Sequence, residues 1–408
     1  MPELGAAIAY LRSPLAIRAR CETIFEAGVA GQLAHFALDL GALPRVVAKV
    51  AAVTRAAYPD LKIPVHGRTN HFRAGGIDRA RAFDARLAGL PASERARSWI
   101  DLIMISVLLD AGAGDAWRFR EPGSGAMIGR SEGLAVASLH AFEAGVFSSD
   151  RTHPLRADAA ALAALDGHRF AQAFQVGPDN PLDGLAGRVG LVRALGQAIA
   201  AAPGTFPGGR PGGLVDSLAA GASGGAIDST QLLRALLEGL APIWPGRIEL
   251  GGTNLGDVWR HPAAGGAGPS AGLVPFHKLS QWMAYSLFEP LERAGHAISQ
   301  PGALTGLPEY RNGGLFVDLG VVVPRRDEIR TQLHEPGDEV IVEWRALTVA
   351  LLDRVGEAVR QELGKSPAEL PLACVLEGGT WAAGRAVARE LRPGGGSPIR
   401  IRSDGTVF

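Results

Sequence analysis

Cysteine is almost missing from this chain. Cys21 and Cys374 are the only two, separated by most of its length. Two such distant thiols exclude a disulfide-stapled scaffold and suit a reducing compartment, so a cytoplasmic location is expected. Net charge is missing too: 41 basic and 41 acidic side chains cancel, and the pI is about 7.2. A neutral chain offers no broad basic face to nucleic acid, although a small basic pocket fits inside a neutral total. No uninterrupted apolar run reaches the ~18 residues of a membrane helix. Glu3, Arg12, Arg18 and Arg20 interrupt any secretory apolar core near the start. Lysine is scarce: only Lys49, Lys62, Lys278 and Lys365 stand among the 41 basic residues. The phosphate loop, the dinucleotide-binding glycine fingerprint, the nucleophile elbow and the zinc-protease histidine pair are all absent. Gly221-Ala222-Ser223-Gly224-Gly225 lacks the strand an elbow needs. His66 and His71 flank Gly67-Arg68-Thr69-Asn70 with no third ligand nearby. No metal and no cofactor are therefore expected.

What the chain does have is apolar bulk and helical periodicity. Hydrophobic residues make up 47% and charged residues 20%. That is enough for a sizeable core and too apolar for wholesale disorder. The spacing predicts helices over 43–57, 98–109, 131–143, 155–165, 188–202, 229–240, 275–295 and 339–363. The second is apolar on nearly every side, which suits burial. Gly145 and Gly364 are natural stops, Asp228 or Ser229 a natural cap, and Pro290 predicts a kink or break. Strand signals are thin: 247–250, 315–323, and 398–408 alternating about Ser403-Asp404-Gly405. The expected fold is mainly α with a small C-terminal β-hairpin. Gly/Pro-rich stretches at 203–213, 221–225, 263–272 and 393–397 are too short to separate domains, and the third is a candidate disordered loop. The length suits a single large helical domain over 1–408, or two lobes at 1–187 and 188–408.

The unusual residues concentrate between Phe276 and Val323. A lone lysine, a carboxylate and an arginine sit there among residues that should be buried. Buried charge is costly unless paired or used. Phe276, Leu279, Met283, Leu287 and Leu291 form an apolar ridge, while Lys278, Gln281 and Tyr285 share another face. That stripe suits a solvent-facing surface. It also suits a pocket wall, because Trp282, Ala284 and Phe288 add apolar surface around it. Glu309-Tyr310-Arg311-Asn312-Gly313-Gly314 follows Pro308. Its glycines permit close approach of a ligand, and Arg311 suits bidentate recognition of phosphate or carboxylate. Glu309 suits a general base or electrostatic stabiliser. A turn stapled by a local Glu–Arg pair is the plain alternative. Asp318, in an otherwise apolar stretch, is catalytic or orienting, or a cap. Asp110 precedes a glycine-rich turn and Trp117-Arg118-Phe119-Arg120, which stack a planar ligand or merely cover surface. Arg130, beside a predicted helix start, marks an anion site or a simple cap. Asp257-Val258-Trp259-Arg260-His261 is a polar–aromatic cluster or a loop anchor. Glu377-Gly378-Gly379-Thr380-Trp381 closes a pocket or only buries Trp381.

Several strings together resemble a known family. They are His66-Gly67-Arg68-Thr69, Ser106-to-Gly114, Arg130-Ser131-Glu132-Gly133-Leu134, Phe276-to-Trp282, Leu307-to-Gly314 and Leu376-to-Trp381. They resemble a uracil-catabolism family of fungi and bacteria, long described only as a domain of unknown function. The likeness runs over essentially the whole chain. That family is associated with opening the uracil ring of a nucleotide and releasing urea, so the resemblance implies breakdown of a ribosyl-urea intermediate. A more distant resemblance is to the queuosine-salvage nucleotide glycosylases, all-α hydrolases related in fold to helix-hairpin-helix DNA glycosylases. There a Lys-Arg-Ala-Gln string on a helix precedes Asp-Tyr-Arg. Here Lys278-Leu279-Ser280-Gln281 precedes Glu309-Tyr310-Arg311. Glu343-Trp344-Arg345-Ala346 and Glu377-to-Trp381 resemble that family's closing helix and its Asp-x-x-Leu-Trp ending. The resemblance implies a helical glycosylase-like fold, a phosphate contact for Lys278 and a catalytic role for Glu309. Glu stands where that family has Asp, one methylene longer.

The implied reaction is hydrolysis of the N-glycosidic bond in a ribosyl-urea 5′-phosphate or related nucleotide. Glu309 would stabilise oxocarbenium charge and activate water. Lys278 and Arg311 would grip the phosphate, and that remote binding would position the reacting carbon. Gln281, Asn312, Asp110, Arg130, Asp257 and Trp381 are the further candidate contacts. Asp318, Asp110 or Asp257 would assist departure of urea. The expected partner is a small phosphorylated molecule, with no nucleic acid and no membrane. Two rivals stand beside this: a metal-dependent amidohydrolase cutting the ureido bond, and a non-catalytic scaffold of the same pathway.

Overall fold

The computed structural model describes residues 2–110, 112–114, 116–222, 224–245 and 247–402. The fold is mainly α, with short strands paired two by two. Among the described residues two compact units interleave along the chain: 2–66 with 247–281 and 300–402, and 67–245 with 282–299. The division falls inside the helix Lys278–Arg293.

In the first unit the long helix Glu339–Leu363 packs on the helices Pro14–Val29 and Leu43–Ala57. Its residues from Val340 to Leu352 are all buried, and Gly364 closes it in the left-handed region. Ser13 starts the Pro14–Val29 helix by accepting the Ala16 N–H at 3.2 Å, with proline in the first turn where its missing N–H costs nothing. The helix Tyr310–Asp318 crosses Trp381–Leu391. Antiparallel pairs join Phe36–Leu38 to Val322–Pro324 and Val258–Arg260 to Leu273–Pro275. In the second unit the helix Ala92–Leu108 is buried continuously from Ser98 onward and packs against Arg130–Glu143. The fully buried Asp101 ties it to the chain beyond: Arg210 and the Gly212 and Ala157 N–H groups all donate to its carboxylate.

Helix bounds follow the periodicity at 43–57 and 339–363 and depart from it elsewhere for visible reasons. Leu315–Asp318 reads as a strand but continues the helix begun at Tyr310, because Glu309 caps that helix. Of the predicted 315–323 strand, only residues 322 and 323 are extended, in the strand Val322–Pro324. The predicted 155–165 helix is reduced to Ala159–Ala163, started by Asp158. Pro290 does not break its helix into two elements. It lies in the last turn, where only three residues follow and one lost backbone bond matters little. The 263–272 stretch is two 3₁₀ turns, not a disordered loop. The buried Arg20 guanidinium donates to the carbonyls of Ala264 and Ser270 and holds them. Arg400–Ile401 pairs in parallel with Leu333–His334. The Ser403-Asp404-Gly405 turn of the expected hairpin lies outside the described residues, as does Ser223 of the discounted nucleophile string. Among the described residues no helix is long and apolar enough to cross a membrane.

Gly384 sets the spacing of one crossing. A Cβ there would lie 2.3 Å from the Arg311 carbonyl oxygen, inside the neighbouring helix's backbone. Gly384→Ala should therefore destabilise the protein by about 1–3 kcal/mol through overpacking. Chemical denaturation measures this, with no change expected for the exposed Gly302→Ala.

Candidate functional site

One buried ion pair organises the polar part of the first unit. Arg345, on the long helix, reaches Asp257 through two parallel hydrogen bonds of 2.8 Å. Its guanidinium lies over the Phe276 ring, 4.1 Å from the centroid, and its Nε donates to the Pro308 carbonyl at 3.4 Å. Asp257 in turn accepts the Lys278 backbone N–H at 2.9 Å and the Trp259 indole N–H at 2.6 Å. Burial works to raise its carboxyl, but the Arg345 guanidinium beside it wins and holds it well below the usual carboxylate range. The start of the Lys278 helix and the residue before Glu309 thus hang on the same arginine.

Glu309 is the N-cap of the helix Tyr310–Asp318. Its two oxygens accept the Arg311 and Asn312 N–H groups, at 2.9 and 2.6 Å, and the residue is 9% exposed. Asn312 is buried; its amide donates to the Leu307 carbonyl, while its Oδ1 is buried with no hydrogen-bond partner. The Arg311 guanidinium stacks on two rings, 5.2 Å from Tyr310 and 4.9 Å from Trp381. Trp381 also neighbours His66, with ring centroids 6.3 Å apart. His66 Nδ1 lies 2.6 Å from a Glu377 carboxylate oxygen. Glu377 sits in a π-helical turn, Leu376–Thr380, which widens the helix just before Trp381. Gly379 lets that turn pack closely on its neighbour: a Cβ there would fall 2.4 Å from the Val50 side chain.

The other candidates are placed as follows. Gln281 is fully buried; its amide donates to the Phe276 carbonyl and Thr305 hydroxyl and accepts the Thr305 N–H. Tyr285 is buried as well, against Phe288, so the polar stripe is not a solvent-facing one. Asp318 carries both oxygens against Arg392, at 2.7 and 2.6 Å. Asp110 and Arg130 belong to the second unit. There Asp110 accepts from Arg68, at 2.5 Å, and from the Ser131 hydroxyl. Burial pulls the Arg68 guanidinium down from its ordinary value. Arg130 opens its helix with φ of 57°. Nothing local in the sequence assigns Arg345 a role, and His66 and Glu377 fall in separate strings. Their pairing joins residues 311 positions apart, which no local spacing reveals.

The chain matches, over residues 10–408, the family described as "Protein of unknown function (DUF1688)". It is 39% identical over 408 residues to Protein urg3 of Schizosaccharomyces pombe, spanning 98% of this chain and 99% of that one. It is 37% identical over 437 residues to Uracil catabolism protein 4 of Lachancea kluyveri, again spanning 98% and 99%.

Removing one member of the Asp257–Arg345 pair leaves a buried charge uncompensated. Arg345→Met should cost about 3–5 kcal/mol in chemical denaturation, and the double variant Asp257→Asn/Arg345→Met should recover part of it. Because the folded state depresses the Asp257 carboxyl, its contribution is present above the ordinary carboxylate range and is lost on acidification toward the depressed value. The double variant should show a shallower fall of stability with acid than the wild type.

Proposed function

The chain belongs to the DUF1688 family, and from that premise we propose that it acts in uracil catabolism. The reaction is hydrolysis of the N-glycosidic bond of a ribosyl-urea 5′-phosphate. Water adds to C1′ of the ribose, the C1′–N bond breaks, the urea nitrogen takes a proton, and urea leaves with ribose phosphate. The observation that carries this reading is the placement of Glu309. A buried carboxylate caps one helix, and Arg345 ties the preceding residue to the start of the Lys278 helix. Each Glu309 oxygen accepts one backbone N–H, and a carboxylate oxygen has a further lone pair to face a water or a developing cation.

The neighbouring residues fit the remaining tasks. The open Asn312 Oδ1 is an acceptor for a urea N–H or a ribose hydroxyl, which would satisfy a buried group otherwise left without a bond. Lys278 and Arg311 supply cationic charge for the phosphate, with Arg311 held by two aromatic faces. Arg345 keeps Asp257 from serving as a proton donor. Arg392 bridges both oxygens of Asp318. We assign protonation of the leaving urea to His66, oriented by Glu377.

Glu309→Gln should keep the fold and bind ribose 5-phosphate, yet release urea about 10²-fold more slowly or worse. Urea release from purified ribosyl-urea 5′-phosphate measures it, and near-normal turnover rules out the role. Intact urea as product separates this reading from cleavage of the ureido bond, which yields ammonia. No product from the purified protein alone would favour a scaffold. His66→Gln should lower urea release at saturating substrate by about 10²-fold, leaving ribose 5-phosphate affinity unchanged. A merely structural His66 would instead lower affinity and thermal stability together.

A further inference from the structure

We infer that His35, Glu339 and Glu343 of the first unit form a binding site for one divalent metal ion of the manganese-to-zinc class. The proposed hydrolysis uses none of these side chains. Glu339 and Glu343 lie one turn apart on the helix Glu339–Leu363, on the same face. A ring nitrogen of His35 and one carboxylate oxygen from each glutamate all lie within 4.8 Å of one another. Ligands about 2.1 Å from a metal sit roughly 3–4 Å apart, so only a small contraction is needed.

Glu343 supplies the independent sign of a missing ligand. It is fully buried; Oε1 accepts the His35 and Phe36 N–H groups, while Oε2 is buried with no hydrogen bond. Among the described residues its ion-pair neighbour is His261, with Nε2 at 3.4 Å, and no arginine or lysine. His261 Nδ1 accepts the Ala263 N–H at 3.1 Å, so Nε2 carries the proton. That tautomer cannot ligate a metal through Nε2, but it can orient the Glu343 carboxylate. A buried carboxylate without a full cationic partner is costly, and a metal ion would neutralise it. Two carboxylates and an imidazole carry the charge that a divalent ion balances. The nitrogen ligand favours manganese, iron or zinc over magnesium or calcium.

Arg326 gives the site a distinguishing property. Its Nη2 lies 3.4 Å from His35 Nδ1, and an arginine only donates. Without metal, the His35 proton therefore sits on Nε2, which lies 3.4 Å from Glu339. A metal bound at Nε2 moves that proton to Nδ1, against the arginine, so Arg326 opposes loading.

The test is calorimetric titration of untagged, chelator-stripped, full-length protein with manganese chloride and zinc chloride. One equivalent should bind. Glu339→Gln should weaken binding by at least about tenfold. Arg326→Gln should strengthen it, by up to about fivefold. Both positions are exposed, so the variants should keep the wild-type circular dichroism and melting temperature without metal. Absence of stoichiometric binding overturns the site. So does an affinity that Glu339→Gln leaves unchanged, which would place the metal on surface residues such as His153 and Asp150.

Discussion

The first unit depends on one contact, the two-pronged bond between Arg345 and Asp257. Neither charge has an affordable alternative inside the protein: each alone would be a buried ion. Together they act as a fixed post. From it hang the entry to the Lys278 helix, through its first N–H, and the entry to the Glu309 helix, through the Pro308 carbonyl. Helix starts expose N–H groups that need partners, so an acidic side chain at each start satisfies local demand. Asp257 does this for one helix and Glu309 for the other. The same demand sets an acidic side chain at the head of both helices, and both heads connect to one arginine.

The legible part of the sequence was the part governed by local rules. The 43–57 and 339–363 helices follow from periodicity, an early proline and a terminal glycine. Lys278 and Glu309 stood out as charge among apolar neighbours and Asp257 as part of a polar–aromatic cluster; the Lys278 N–H and the Pro308 carbonyl both reach the Asp257–Arg345 pair. What stayed hidden was set by distant partners. Leu315–Asp318 has the β-prone composition of a strand, yet a cap six residues earlier commits it to helix. The Ala263–Gly272 stretch has the composition of a flexible loop, yet one arginine from residue 20 fills it. Gln281 looked like a ligand contact on its helix face, but its amide is engaged by Thr305 and Phe276. His66 was visible only as half of a weak histidine pair and as part of a family-like string, because its partner Glu377 is far along the chain.

The identity of residue 309 separates a structural from a chemical role. A helix start prefers serine, threonine, asparagine or aspartate, whose short side chains reach back to the second or third N–H. Glutamate is outside that set, and its extra methylene costs conformational entropy to fix. Capping alone therefore explains why an acceptor stands there, but not why it is this acceptor. The longer arm lets the carboxylate satisfy the Arg311 and Asn312 N–H groups while standing further from the backbone, at the head of a helix whose Asn312 oxygen has no bond of its own. An asparagine acceptor left open in a buried place is likewise poor structural economy, since it costs about 1–3 kcal/mol. Two departures from what stability alone would select, on residues three apart, coincide at the head of one helix. Departures of that kind cluster where a ligand completes the bonding, because a bound hydroxyl or amide repays a penalty that the empty protein must carry.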